Sequence, residues 1–157
     1  MRIERKYLAH YIKAGSMEKF VRLGKDLEEF TPELSAEVDT HRNILGQKRV
    51  TISSYDKTAA VEPYYAEAGD MLFEHLQDLI DRDAVMEELK VQVLEVKLWA
   101  EANNGNYMAT LEDAYLEITS YGGDVNGYRI GFKLHYTGNK RTGSFNIEEH
   151  LFEEQSV

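Results

Sequence analysis

The sequence predicts a mainly β fold, a β-sandwich or partial barrel of antiparallel strands carrying one amphipathic α-helix. Three observations predict it. Apolar and polar residues alternate without a break from Tyr128 to Thr137. Two longer alternating stretches upstream change phase midway, and a single segment repeats at helical spacing.

The alternation places Tyr128, Ile130, Phe132, Leu134 and Tyr136 on one side of a half-buried strand and Arg129, Lys133 and His135 on the other. Gly122-Gly123-Asp124-Val125-Asn126-Gly127 precedes it, with Asn126-Gly127 suited to a tight reversal, so the flanking strands pair antiparallel. In the first phase-changing stretch, Leu89, Val91 and Val93 give way to Leu94, Val96 and Leu98, a slip that predicts a β-bulge near Leu94. In the second, Tyr107, Ala109 and Leu111 give way to Ala114, Leu116 and Ile118 around Glu112-Asp113. Strands that swap faces in this way suit two sheets joined at a bend or a curved barrel wall. Met71, Leu72, His75, Leu76, Leu79 and Ile80 form the helical stripe, with Asp70 as the N-cap. Further strands are expected at Tyr7–Ile12, Phe20–Arg22, Glu33–Val38, Arg49–Ser54 and Ala59–Glu62.

At 157 residues the chain makes one domain, and the two prolines and eleven glycines do not gather into a linker. A net charge of −10 disfavours any chain-wide grip on phosphate backbones or anionic lipid. The absence of cysteine excludes disulfides, thiolate nucleophiles and cysteine-based zinc sites. No apolar run approaches the roughly 20 residues of a membrane helix. Met1–Lys6 leads into no signal-peptide core, so a soluble chain not exported by the general route is expected.

Motifs of catalysis are missing. The histidines at 10, 41, 75, 135 and 150 include no pair spaced to share a helix face. His75 reads as a residue at the core edge and His135 as a surface residue. Glu28-Glu29, Glu87-Glu88, Glu112-Asp113, Glu148-Glu149 and Glu153-Glu154 are adjacent acids, but strand neighbours point to opposite faces, so adjacency makes no catalytic pair. The glycines at 122, 123 and 127 lack the Gly-Lys-Ser/Thr ending of a phosphate loop, and Ser144 lacks a spaced partner. Neither an enzyme nor a cofactor is expected.

Charge, by contrast, is unevenly spread. Residues 61–90 carry nine acids against Arg82 and Lys90, whereas residues 41–57 carry Arg42, Lys48, Arg49 and Lys57 against Asp56 alone. A basic arm beside an acidic body invites one copy's arm to meet the next copy's body.

Several blocks carry a likeness that runs the length of the chain. They are Arg5-Lys6-Tyr7-Leu8-Ala9-His10-Tyr11, Val21 to Glu29, Asn43-Ile44-Leu45-Gly46, Val61-Glu62-Pro63-Tyr64-Tyr65-Ala66 with Gly69-Asp70, Gly122-Gly123-Asp124 and Tyr136-Thr137-Gly138-Asn139. In combination the chain resembles the tail tube, or major tail, proteins of phages and prophages of low-GC Gram-positive bacteria. The resemblance implies a structural protein of the virion tail, assembled in the host cytoplasm as hexameric rings that stack into a hollow tube. Six subunits' strands would form one inner wall, and a hairpin from about Asp39 to Thr58 would reach neighbouring copies. Arg42, Lys48, Arg49 and Lys57 would then meet acids near a neighbour's helix, Glu74 and Asp78 among them. Partners would be further copies and other tail proteins, with no membrane; DNA would pass through without specific binding. Carboxylates lining the lumen would repel it, with Glu33, Glu37, Glu112, Asp113 and Glu117 as candidates. At this length no immunoglobulin-like module is appended, so a plain tube is expected.

Two other readings fit the same pattern. One is a tail connector or terminator that forms a single ring; the other is a small-molecule-binding β-barrel, which needs a closed apolar pocket. The arm separates them, because a tube subunit leaves it extended and a barrel folds it over the pocket.

Overall fold

The computed structural model describes residues 1–154 except Ser16, Lys25, Asp26, Glu28 and Asn104, together with the side chains of all these residues but Pro63 and Asn103. Lys25, Asp26 and Glu28 of the second resemblance block, and with Glu28 the first of the adjacent acid pairs, lie outside the described residues.

Among the described residues, eight strands and one α-helix follow in chain order: β1 (Leu8–Ala14), β2 (Val21–Leu23), β3 (Glu33–Arg42), β4 (Lys48–Tyr65), α1 (Met71–Asp81), β5 (Lys90–Asn103), β6 (Asn106–Asp124), β7 (Gly127–Asn146) and β8 (Leu151–Glu154). The fold is mainly β with one helix, and every strand pairing is antiparallel. The strands belong to one sheet, ordered β2-β1-β5-β6-β7-β4-β3, with β8 added to β7. The expected strands at Arg49–Ser54 and Ala59–Glu62 are two parts of the long β4.

The first apolar phase change has a different cause from the expected bulge. β5 keeps an unbroken register from Val91 to Lys97 against β1 and from Lys90 to Lys97 against β6. No bulge therefore occurs at Leu94. Val91 and Val93 instead pack into one core, while Leu94 and Val96 pack into a second core on the opposite face. β6 repeats the pattern, with Ala109 and Leu111 in the second core and Ala114 and Leu116 in the first. One sheet is thus covered on opposite faces at its two ends, and a strand crossing from one end to the other changes which parity is apolar.

α1 covers the first core through Leu72, Leu76 and Leu79, all buried. Each such side chain contributes at most about 1.5–3 kcal/mol of transfer free energy. The Asp70 side chain accepts from the Leu72 amide at 3.1 Å, as the N-cap pattern predicts, and also accepts from the Tyr64 hydroxyl. The second core is closed by Phe20 and Phe145 with β8. A Cβ on Gly143 would lie 2.1 Å from the Glu153 carbonyl oxygen, so only glycine lets β8 pair there.

The β6–β7 reversal pairs Asp124 with Gly127, which makes Val125 and Asn126 its central residues rather than Asn126-Gly127. The one large irregularity in this ladder lies where Glu112 and Ala114 oppose Lys140 and Tyr136. Asp113 there faces three residues, Thr137, Gly138 and Asn139, and β7 bulges outward.

Candidate assembly surface

β3 and the first part of β4 form a two-stranded ribbon whose register runs from Glu33–Thr58 to Arg42–Lys48. The hairpin therefore starts at Glu33, six residues before the start that the resemblance implies. Only at Thr58 does β4 begin to pair with the body, opposite His135. All ten residues of β3 are exposed.

Residues opposite each other in a ladder share a face, so the register sorts the ribbon's side chains. Leu34, Ala36 and Val38 lie on one face with Tyr55, Ile52 and Val50; Glu33, Ser35, Glu37 and Asp39 lie on the other with Asp56, Ser54 and Thr51. A bulge at Ser53 brings Ile52 and Val50 into phase with Tyr55. The result is an amphipathic ribbon whose apolar face is bare: Leu34, Val38, Val50, Ile52 and Tyr55 are all exposed. That face continues the helix-covered face of the body, since Lys57, Ala59 and Val61 follow on the same parity.

The tip is a built turn. The Asn43 side-chain oxygen accepts from the amides of Leu45 and Gln47, each at 3.0 Å. Its backbone amide donates to the Gln47 carbonyl and its carbonyl accepts from Gly46, which sits at φ +78°. This frame holds Ile44 and Leu45 outward, fully and largely exposed.

At the root of the ribbon, Lys57 turns inward. Its Nζ donates to Glu112 Oε1 at 3.2 Å and lies 4.4 Å from the centre of the Tyr136 ring. The Gly138 amide donates to the second oxygen of Glu112 at 3.1 Å. Glu112 is 3% exposed and Asp113 6%. The Asp113 carboxylate accepts from Asn139 Nδ2 at 2.9 Å, with Arg141 at 3.5 Å and Lys90 at 4.0 Å. Burial and the charge beside it push the Tyr136 hydroxyl well above its ordinary pKa. In the same cleft, Glu95 lies 3.2 Å from the ring nitrogen of buried His10, and this contact holds its carboxyl below the usual range.

Three expectations are corrected by this arrangement. Lys57 is not an outward interface residue, because it is spent on Glu112 within the chain. Glu112 and Asp113 are not exposed channel acids, because they are buried and hold the β7 bulge. Glu33, Glu37 and Glu117 remain outward, and register puts them on one face: Glu33 pairs with Thr58, Thr58 with His135, and Glu117 lies 3.5 Å from His135. Arg42, Lys48 and Arg49 surround the tip and are exposed. Glu74 and Asp78 are exposed on α1, where Asp78 pairs with Arg82 at 2.8 Å.

Besides the edges of the short strands β2 and β8, two backbone edges are open among the described residues. β3 ends the sheet on one side. β6 has no partner on its β5 side beyond Tyr115. Beside that second edge runs a groove of about 780 Å³ between β6 and the end of α1. Among the described residues no three of His, Asp and Glu converge as metal ligands, and no helix is long and apolar enough to cross a membrane.

The bare apolar face escapes a reading of charge alone. Leu34, Ala36 and Val38 signal it in β3, but in β4 the Ser53 bulge breaks the alternation that would show it. No protein-family model and no curated protein matches this chain.

Proposed function

We propose that this protein is the repeating subunit of a phage or prophage tail tube, a virion structural protein that closes into hexameric rings and stacks them around a DNA channel. The observation that carries the reading is the ribbon from Glu33 to Thr58, which presents an apolar face to solvent and stands clear of the body. A bare apolar strand pair with open edges is an aggregation hazard unless a partner covers it. Copies of the same chain are the partner at hand in a polymer. The small-molecule barrel would instead fold the arm over a closed pocket.

The opposite, polar face of the ribbon is continuous with Thr58, His135 and Glu117 in the body. In a ring this face would line the channel, with Glu33, Glu37 and Glu117 repelling phosphates so that DNA slides without sticking. Other tail proteins would contact the ends of the tube.

Negative-stain microscopy of concentrated protein tests the proposal. Hollow rods built from six-fold rings are expected. A single ring that never stacks would move the assignment to a connector, and persistent monomers with a small molecule bound would move it to a carrier.

A further inference from the structure

The groove beside the open edge of β6 is lined by Leu79, Ile80, Ala84 and Leu89, with Tyr121 at its end. Next to it, Val85 and Met86 are exposed, so the apolar surface extends past the groove. Asp83 and, at the sheet edge, Glu117 are acids of its lining, and the flanking stretch 78–88 adds Asp78, Asp81, Glu87 and Glu88 against one base, Arg82. Arg82 is already engaged by Asp78 and Glu88. Among the described residues no lysine or arginine lies within salt-bridge reach of Asp81, Asp83 or Glu87. The surface combines an apolar floor, unneutralised acids and an unpaired strand edge.

The tip of the ribbon is its complement. Ile44 and Leu45 project from a turn already fixed by Asn43 and Gly46, so little conformational freedom is lost when they are buried. Residues 42–49 contain Arg42, Lys48 and Arg49 and no acid. None of these three cations pairs with a carboxylate among the described residues. Apolar knobs ringed by cations match an apolar groove ringed by anions.

We infer that this groove seats the tip of the ribbon from a second copy of the chain, with Ile44 and Leu45 over Leu79, Ile80 and Ala84, and Arg42, Lys48 and Arg49 against Asp81, Asp83 and Glu87. The inference rests on the assembly reading and makes it specific. The acceptor is the end of α1 and the turn after it, not the exposed helix face of Glu74 and Asp78.

The chain has no cysteine, which makes cross-linking clean. Ile44→Cys and Ala84→Cys are prepared as separate variants, mixed at assembling concentration and oxidised; a covalent dimer of one of each is expected, and the double variant should give a ladder of multimers. Rods that form without any 44–84 bond overturn this inference and leave the assembly reading standing. Absence of every higher-order species removes both. A charge swap checks the same contact without cysteine. Changing Arg42, Lys48 and Arg49 together to Glu should raise the concentration needed for assembly by about tenfold or more, and adding Asp81→Lys, Asp83→Lys and Glu87→Lys should reverse most of that. If the swap restores nothing, the pairing is wrong.

Discussion

Lys57 Nζ lies 3.2 Å from Glu112 Oε1 at the last residue before β4 joins the body, and the other oxygen of that carboxylate accepts from Gly138 in the β7 bulge. One buried carboxylate therefore ties the root of the ribbon to the centre of the sheet. Replacing Lys57 with Met strands a desolvated negative charge, which costs about 3 kcal/mol or more. A urea midpoint well below wild type is expected. Adding Glu112→Gln removes the charge and keeps an acceptor for Gly138, so the double variant should recover at least half the loss. Equal loss in both variants would show that the pair does not act as a unit.

The contact between Glu95 and buried His10 sets a pH dependence. The Glu95 carboxyl is held below its ordinary pKa chiefly by the hydrogen bond with His10, against the opposing effect of burial. Its folded pKa lies below the unfolded value of about 4.3, so the stabilisation is present above that value and is lost as pH falls toward the folded pKa. The stability gap between wild type and Glu95→Gln, measured by denaturant melts from pH 7 to pH 3, should narrow on the acid side. A gap that stays constant contradicts the assignment.

Val38 and Ile52 face each other on the bare side of the ribbon, while Asp39 and Thr51 face each other on the polar side. Val38→Lys and Ile52→Lys should leave stability within about 0.5 kcal/mol, since both residues are exposed in the single chain. Both should block assembly in a sedimentation assay. Thr51→Lys, one residue away, should assemble normally, and equal effects at both positions would show that the apolar face is not the contact.

The polar face carries the channel prediction. Glu33→Lys with Glu37→Lys, both on the ribbon's polar face, should fold and assemble yet reduce DNA delivery by particles carrying it, because the wall then attracts phosphates. Unchanged delivery would place these residues away from the channel. Glu112→Lys should fail earlier, at folding, since it buries a second cation beside Lys57.

These predictions divide between what the sequence states and what only the register reveals. The helix with its Asp70 cap and the strand at Tyr128–Thr137 are legible, because each is encoded by a local period or cap; the arm shows only as a run of cations and through the resemblance. The phase change at Leu94 is legible as an event, but its cause is not: exchange of the covered face without loss of register looks the same in sequence as a bulge, whereas at Glu112-Asp113 the register against β7 does shift. Lys57 reads as one more cation of a basic arm, and only its partner 55 residues away makes it structural. The apolar side of the ribbon is hidden for a related reason. Ser53 shifts the parity of Val50 and Ile52 against Tyr55, and a strictly alternating template misses the face that they share.

The ribbon as the assembly surface is tested most directly by amide hydrogen exchange on monomer and on assembled protein. In the monomer the amides of residues 33–58 should exchange fast, because the ribbon is uncovered on both faces. On assembly, exchange should slow across 33–58 and across 79–89 in the acceptor. Assembled particles whose ribbon amides exchange as fast as those of the monomer would contradict the account.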